Sequence, residues 1–205
     1  MLTGRLAAAS AVCALLFVGL GLQVTRRPAR LDALAARRGT NFPLAVAFTQ
    51  SGYGLALTLL GAGSIAAALA LRTPAVIPLA ILVAQIGSQA AVHLAKAIFA
   101  RPRPAAWVYR HEPGFAYPSG HATTAVVFYG AWLVVLWNAA LPLPVRAGGA
   151  ALLAAWALGV GWSRVALGAH APTDVIGGFL FGLAWLCAML AIAVSRGAGL
   201  VTRHA

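Results

Sequence analysis

Six long apolar runs constrain this chain more than any other feature of its sequence. The first, residues 6–24, is uncharged and about 19 residues long, enough in a helix to cross a hydrocarbon core of about 30 Å. The other five are residues 53–71, 75–96, 122–140, 147–162 and 175–195. Because lipid offers no partner to backbone N–H and C=O groups, spanning segments satisfy these groups internally, as helices. We therefore predict an all-α fold, an integral membrane bundle of six transmembrane helices.

The charge balance indicates which partners such a chain binds. Only 9% of its residues are charged, against about 25% in soluble domains. Lys and Arg number 15 and Asp and Glu number 3, so the net charge is +12. A nucleic-acid-binding domain would carry this charge on a soluble surface, which the apolar runs exclude. We expect residues 1–205 to form a single membrane-embedded domain whose partners are anionic lipid headgroups and phosphorylated substrates.

The sequence does not indicate a metal or disulfide site. Cys13 and Cys187 both lie inside apolar runs, so they suggest neither a disulfide framework nor a metal-binding cluster. Three carboxylates in the whole chain make an oxygen-ligand site for magnesium or calcium improbable. We therefore expect no metal and no cofactor.

In the N-terminal quarter of the chain, the first apolar run and the arginine-rich segment after it can each be interpreted in two ways. Arg5 precedes the first run, as in a cleavable signal peptide, but the run exceeds the usual core of 7–15 residues. Residues 26–49 then combine many arginines with Leu31 and Leu34, which fall one helical turn apart. This pattern predicts a short amphipathic helix on the headgroups after the first span. A solvated linker is the alternative.

The third run carries a polar stripe. Gln85, Gln89, His93 and Lys96 recur at intervals of four, four and three residues, so they line one face of a helix. Polar groups at that depth are costly against lipid and usually face the bundle interior or a cavity. Hydrogen bonding between helices is the simpler explanation for Gln85. Towards Lys96, a cavity becomes the better one.

Counting spans places the chemically distinctive residues on one side of the membrane. They are Lys96, Ser119, Gly120, His121, Arg164, His170 and Asp174. The turns around Arg72 and Arg146 fall on the opposite side and carry no comparable chemistry. Solvated charges scattered at random would not segregate in this way. We therefore predict a functional site at the ends of four helices.

These residues have complementary chemistry for handling a phosphate. Arginine grips phosphate oxygens bidentately, and lysine acts as a point charge. Ser119 and Gly120 begin a helix, where free N–H groups bind anions, although Ser119 could be a plain N-cap. His170 has Asp174 four residues later, so the carboxylate could hold one ring nitrogen and leave the other free. Phosphoryl transfer needs such positioning and charge stabilisation.

At these residues the sequence resembles the superfamily of type 2 phosphatidic acid phosphatases and vanadium haloperoxidases. The three parts of the resemblance are K-x6-R-P from Lys96 to Pro104, P-S-G-H from Pro118 to His121, and S-R-x5-H-x3-D from Ser163 to Asp174. They cover residues 96–174 in the expected order, and no motif residue departs from the pattern. The six-span plan agrees with the membrane lipid phosphatases of this superfamily.

The resemblance implies a role for each matching residue. His170 would be the nucleophile that forms a phosphohistidine, Asp174 its orienting partner, and His121 the general acid and base. The residues implied to hold the phosphate oxygens are Lys96, Arg103, Ser119, Gly120 and Arg164. Arg101 competes with Arg103 for the clamp role, but the spacing favours Arg103. His93, Arg110 and His111 lie near the motifs in sequence only.

The resemblance also implies a metal-independent lipid phosphatase, acting on phosphatidic acid, phosphatidylglycerol phosphate or a polyprenyl diphosphate. Two alternatives stay open: a phosphotransferase using another acceptor than water, and a non-catalytic anion-binding membrane protein. The motif side carries ten basic residues against five, which by the positive-inside rule favours the cytoplasm. The resemblance instead implies a bacterial inner or plasma membrane protein with an extracytoplasmic site.

Overall fold

A computed structural model describes residues 1–27, 29–35, 43–104 and 112–196. Within these ranges the chain forms α-helices and no strands, so the all-α prediction is confirmed. The helices are α1 (Leu2–Arg26), α2 (Arg30–Ala35), α3 (Pro43–Ser51), α4 (Gly54–Ala70), α5 (Val76–Phe99), α6 (Gly120–Asn138), α7 (Leu143–Ala166) and α8 (Pro172–Ser195).

Five of the six predicted spans are single long helices, and the sixth corresponds to a bent pair of shorter helices. Helices α1, α5, α6, α7 and α8 are each long and apolar enough to cross a membrane. Helices α3 and α4 meet at a bend of 57° and are long and apolar enough together to count as the sixth span. Ala45 and Thr49 of α3 are fully buried, so this end of the segment predicted to lie on the headgroups packs against the rest of the protein. The short helix predicted after the first span is α2, and residues 36–42 lie outside the described residues.

Helix α6 is the centre of the bundle. It packs against α5, α7 and α8, while α1 lies along α8, α3 along α7 and α4 along α5. Glycines let α6 and α8 come close together: the Thr123 hydroxyl donates to the backbone oxygen of Gly178 at 3.1 Å. Small residues that bring backbones together are typical of helix packing in lipid, where the hydrophobic effect does not drive helices together.

The outer faces of the spans are apolar and exposed. Leu15, Leu59, Leu94 and Leu158 have 60% or more of their surface accessible. Soluble monomers rarely expose so many large apolar side chains together. The chain is therefore an integral membrane protein whose outer leucines face lipid.

The polar stripe of α5 divides between the core and a cavity. Gln85 is fully buried, and neither polar atom of its side chain has a hydrogen-bond partner among the described residues. The interpretation of Gln85 as an interhelical hydrogen-bonding residue is therefore wrong. Gln89, His93 and Lys96 do line a cavity, as the stripe predicts.

Candidate active site

Four helix ends meet at the site: the end of α5, the start of α6, the end of α7 and the start of α8. The backbone N–H of Ser119 donates to the backbone oxygen of Asp174 at 2.9 Å, which joins the starts of α6 and α8. A turn further along α8, a Cβ atom at Gly178 would lie 2.6 Å from the Ser119 backbone oxygen. Only glycine therefore permits this approach, which brings the second and third sequence motifs together.

His170 lies in the short loop between α7 and α8 and is 3% exposed. Its Nε2 atom is 3.0 Å from Nη1 of Arg103. A guanidinium only donates hydrogen bonds, so this contact is a hydrogen bond in the tautomer that has Nε2 unprotonated and the proton on Nδ1. Nδ1 lies 3.5 Å from Oδ2 of Asp174, an ion-pair distance without a hydrogen bond. In that tautomer the lone pair of His170 points towards Arg103, and its N–H points towards Asp174.

Asp174 makes shorter contacts with other residues than with His170. Its Oδ2 accepts from the backbone N–H of Ala171 at 2.9 Å, and its Oδ1 accepts from Arg101 at 2.5 Å. The same guanidinium reaches Asp32 of α2 at 2.7 Å. Arg101 therefore binds carboxylates and leaves the contact with the His170 ring to Arg103, in line with the motif spacing.

Glu112 lies over the arginine cluster. Its Oε2 atom is 2.7 Å from Arg164 and 3.7 Å from Arg103, and its Oε1 accepts from the Tyr53 hydroxyl at 3.3 Å. Glu112 lies outside the three sequence motifs. All three acidic residues of the chain bind arginines at this site. Because acidic residues are so rare in this sequence, each one could have been selected as a candidate site residue from the sequence alone.

His121 and Ser119 occupy the start of α6 with unused polar atoms. The ring of His121 packs edge-on against Tyr53 with centroids 4.5 Å apart. Its Nε2 atom and the buried hydroxyl of Ser119 have no hydrogen-bond partner within the described ranges. Ser119 is at the N-cap position, but its side chain does not cap the helix, so the interpretation of Ser119 as a plain capping residue is wrong. Both groups therefore have hydrogen-bonding capacity that these residues do not use.

A cavity of about 470 Å³ connects these groups. Five of the predicted site residues line it: Lys96, Arg103, Gly120, His121 and His170. Ser119, Arg164 and Asp174 are buried behind its wall. His93, which lies near the motifs but belongs to none of them, also lines the cavity, while Arg110 and His111 lie outside the described residues.

Burial dominates the electrostatics of the loop residues. Desolvation lowers the pKa of His170 well below its usual value, and the charges of Arg164, Lys96 and Arg103 lower it further. The ring is therefore neutral at pH 7 with a nucleophilic lone pair. Burial also lowers the pKa of Arg103, against the opposing charge of Glu112. For Arg101, burial is outweighed by Asp174 and Asp32, so its pKa is raised.

The described residues include no group of three or more His, Cys, Asp or Glu side chains placed to hold a metal ion. The carboxylates instead bind arginines. The donor set of the cavity consists of cations, helix N–H groups and a hydroxyl, which is chemistry suited to an oxyanion.

Known proteins resemble this chain in sequence and in fold. The PAP2 superfamily model matches residues 77–197. Lipid A 1-phosphatases of Rhizobium johnstonii and Rhizobium etli are each 37% identical over 86 residues, or 42% of this chain. The match covers 31% and 32% of those relatives, so the chain spans about a third of their length.

One solved structure has the same fold. It is described as the first transmembrane PAP2 type phosphatidylglycerolphosphate phosphatase from Bacillus subtilis. The TM-score is 0.76 with 23% identity, over 96% of this chain and 98% of that one. The fold therefore agrees with the sequence motifs and with the family match, which covers more than half of the residues. This chain belongs to the PAP2 superfamily.

Proposed function

We propose that this protein is a membrane phosphatase that removes phosphate from a lipid phosphate or diphosphate through a phosphohistidine at His170. The observation that carries the proposal is the orientation of the His170 ring. Its unprotonated Nε2 faces Arg103 beside a cavity lined by further cations. Membership of the PAP2 superfamily supports the same activity.

In the first step, the Nε2 lone pair of His170 attacks phosphorus and forms a P–N bond. The P–O bond to the lipid breaks, and the leaving oxygen takes a proton from His121, whose ring lines the same cavity. Asp174, 3.5 Å from Nδ1, stabilises the positive charge that develops on the ring. The dephosphorylated lipid leaves, as an alcohol from a monoester or as a lipid monophosphate from a diphosphate, and the phosphoryl group stays on Nε2.

In the second step, water attacks the phosphohistidine. His121, now unprotonated, accepts a proton from the water as the O–P bond forms. The P–N bond breaks, its electron pair returns to Nε2, and inorganic phosphate is released. Both enzyme groups return to their starting protonation states, so one turnover consumes one lipid phosphate and one water.

The equatorial oxygens of the transferred phosphoryl group would be held by the surrounding donors. Arg103 and Arg164 supply guanidinium groups, Ser119 its unpartnered hydroxyl, and the first turn of α6 its N–H groups. Lys96 adds a point charge from α5. Glu112 occupies two of these cations without substrate, so an incoming phosphate must replace its carboxylate.

The substrate class follows from the position of the cavity. It opens where the spans end, so a substrate tail can stay in the bilayer while its phosphate reaches His170. The relatives named as lipid A 1-phosphatases and phosphatidylglycerolphosphate phosphatase act on lipid phosphates. We expect phosphatidic acid, phosphatidylglycerol phosphate, lipid A or a polyprenyl diphosphate to be hydrolysed, at a site facing away from the cytoplasm.

The test is a phosphate-release assay on the purified protein across these four lipids, with and without EDTA. Wild type should release phosphate from at least one lipid, and EDTA should not change the rate. His170→Asn keeps a polar side chain without the nucleophile and should lose at least 10³-fold of the rate. A wild type inactive on all four lipids, or an Asn variant at the wild-type rate, would refute the proposal.

Sidedness is tested separately by labelling single cysteines in a background that lacks Cys13 and Cys187. A cysteine at Gly114, on the site side, should react with an impermeant reagent added outside intact cells. A cysteine at Leu141, in the turn between α6 and α7, should react only after permeabilisation. The reverse pattern would place the site in the cytoplasm.

A further inference from the structure

The short helix α2 is tied to the start of α8 by one carboxylate. Asp32 is 8% exposed. Its Oδ1 accepts from the backbone N–H of Thr173 at 3.1 Å, and its Oδ2 accepts from the Thr173 hydroxyl at 2.7 Å. Asp32 thus binds the residue that precedes Asp174, although 141 residues separate them in the chain.

Arg101 links the two carboxylates. One guanidinium nitrogen donates to Asp174 at 2.5 Å and to the Thr173 hydroxyl at 2.8 Å, and the other donates to Asp32 at 2.7 Å. The side chains of Asp32, Arg101 and Asp174 are 9%, 11% and 0% exposed, so solvent screens their charges little. The cluster Asp32–Arg101–Asp174 therefore acts as one charged unit.

The charge of this unit depends on Asp32. Two carboxylates and one guanidinium sum to one negative charge, next to the Nδ1–H of His170. If residue 32 were neutral, the positive charge of Arg101 would cancel the negative charge of Asp174. Arg101 would then attract only the Asp174 carboxylate and draw it away from His170. The positive charge that forms on the His170 ring during phosphoryl transfer would then lose its counter-charge.

We propose that Asp32 is a positioning residue for the reaction at His170, because it shares Arg101 with Asp174 and so keeps a net negative charge beside the imidazole. The inference rests on the proposed function. It extends the site beyond the three sequence motifs to a residue of the N-terminal segment. Asp32 acts through Asp174 and does not touch the substrate.

The first test replaces Asp32 with Asn, which keeps an oxygen for the Thr173 N–H but removes the charge. Misplacement of a reacting group by about 1 Å costs on the order of 10²-fold, so we expect kcat to fall about 10- to 100-fold. KM should change by less than about twofold, because the phosphate-binding cations are untouched. The matched control is Arg30→Gln, a one-charge change on an exposed residue of the same helix, which should keep the wild-type kcat.

A double variant separates charge from anchoring. Asp32→Asn combined with Arg101→Gln restores one net negative charge at Asp174, so its kcat should exceed that of Asp32→Asn alone. Asp32→Glu retains the charge and should also exceed the Asn variant. If Asp32→Asn keeps the wild-type kcat, or if neither the double variant nor the Glu variant exceeds it, the proposal is overturned.

Ligand binding gives a readout that needs no turnover. Vanadate mimics the five-coordinate transition state and engages Nε2, whereas inorganic phosphate binds the cations alone. By calorimetry, Asp32→Asn should weaken vanadate about tenfold and leave the phosphate Kd unchanged. Equal weakening of both ligands would indicate a purely structural role and overturn the proposal. A wild type that binds vanadate tightly but hydrolyses no lipid would refute the proposed function instead.

Discussion

Replacing Gly178 with Ala tests whether close packing of α6 on α8 sets the geometry of the site. The added Cβ would lie 2.6 Å from the backbone oxygen of Ser119 and 2.9 Å from the Cβ of Ala122. Neither atom is the end of a flexible side chain, so the backbones themselves must separate. Restoring an ordinary contact requires a movement of about 0.8 Å, in a core that has little room to absorb it.

This movement acts directly on the reacting groups. Ser119 and His121 begin α6, while Asp174 lies one helical turn before Gly178 on α8. Separation of the helices would therefore move His121, the proposed general acid, away from the His170–Asp174 pair. A displacement of about 1 Å costs on the order of 10²-fold in rate, and overpacking costs about 1–3 kcal/mol of stability. We expect kcat to fall 10- to 100-fold in protein that remains folded at the assay temperature.

The assay is phosphate release at saturating lipid, with thermal unfolding measured on the same preparation. The matched control is Gly63→Ala on α4, where a Cβ would meet nothing within 4 Å. Because alanine favours the helix over glycine by about 0.5–1 kcal/mol, the control should keep its kcat and lose no Tm. A Gly178→Ala protein with wild-type kcat and Tm would refute the argument that this contact sets the site.

Two further substitutions test single contacts. Glu112→Gln removes the charge that is proposed to compete with phosphate for Arg164 and Arg103. The Kd for inorganic phosphate should therefore fall about tenfold, which corresponds to the difference between a charged and a neutral hydrogen bond. An unchanged or higher Kd in calorimetry would contradict this. Tyr117→Phe keeps the ring stacked on Phe17 but removes a buried hydroxyl that donates to the Phe17 backbone oxygen at 2.6 Å. The Phe17 carbonyl lies inside α1 and keeps its helical partner, so the lost hydrogen bond should cost about 0.5–1.5 kcal/mol. This is seen as a lower Tm, and a Tm equal to that of wild type would argue against this hydrogen bond as a stabilising contact.

The sequence was sufficient for the spans because hydropathy and length alone decide which segments can cross lipid. It missed the bend between α3 and α4, since the arginines of residues 26–38 led the whole segment to be assigned to the headgroups. Gln85 shows the same limit at the level of one side chain. Its position on a polar stripe predicts the face it occupies but not whether a partner is within reach.

The motif residues were placed correctly on one side because helices alternate in direction. The residues that complete the site were not found, because their contacts join distant parts of the chain. Asp32 meets Arg101 across 69 residues, and Glu112 meets Arg164 of α7. No local spacing predicts such pairs; only the scarcity of carboxylates in a chain of charge +12 could have pointed to them.

The most direct test of the account is to trap the covalent intermediate. Labelled lipid phosphate is mixed with wild-type protein and with the His121→Ala variant, in which both protonation of the leaving group and activation of water are impaired, and each reaction is quenched in alkali within one turnover. We predict an acid-labile, alkali-stable phosphoryl group on the peptide that contains residue 170, and none in His170→Asn. Turnover with the label on another residue, or turnover that persists in His170→Asn, would contradict the account.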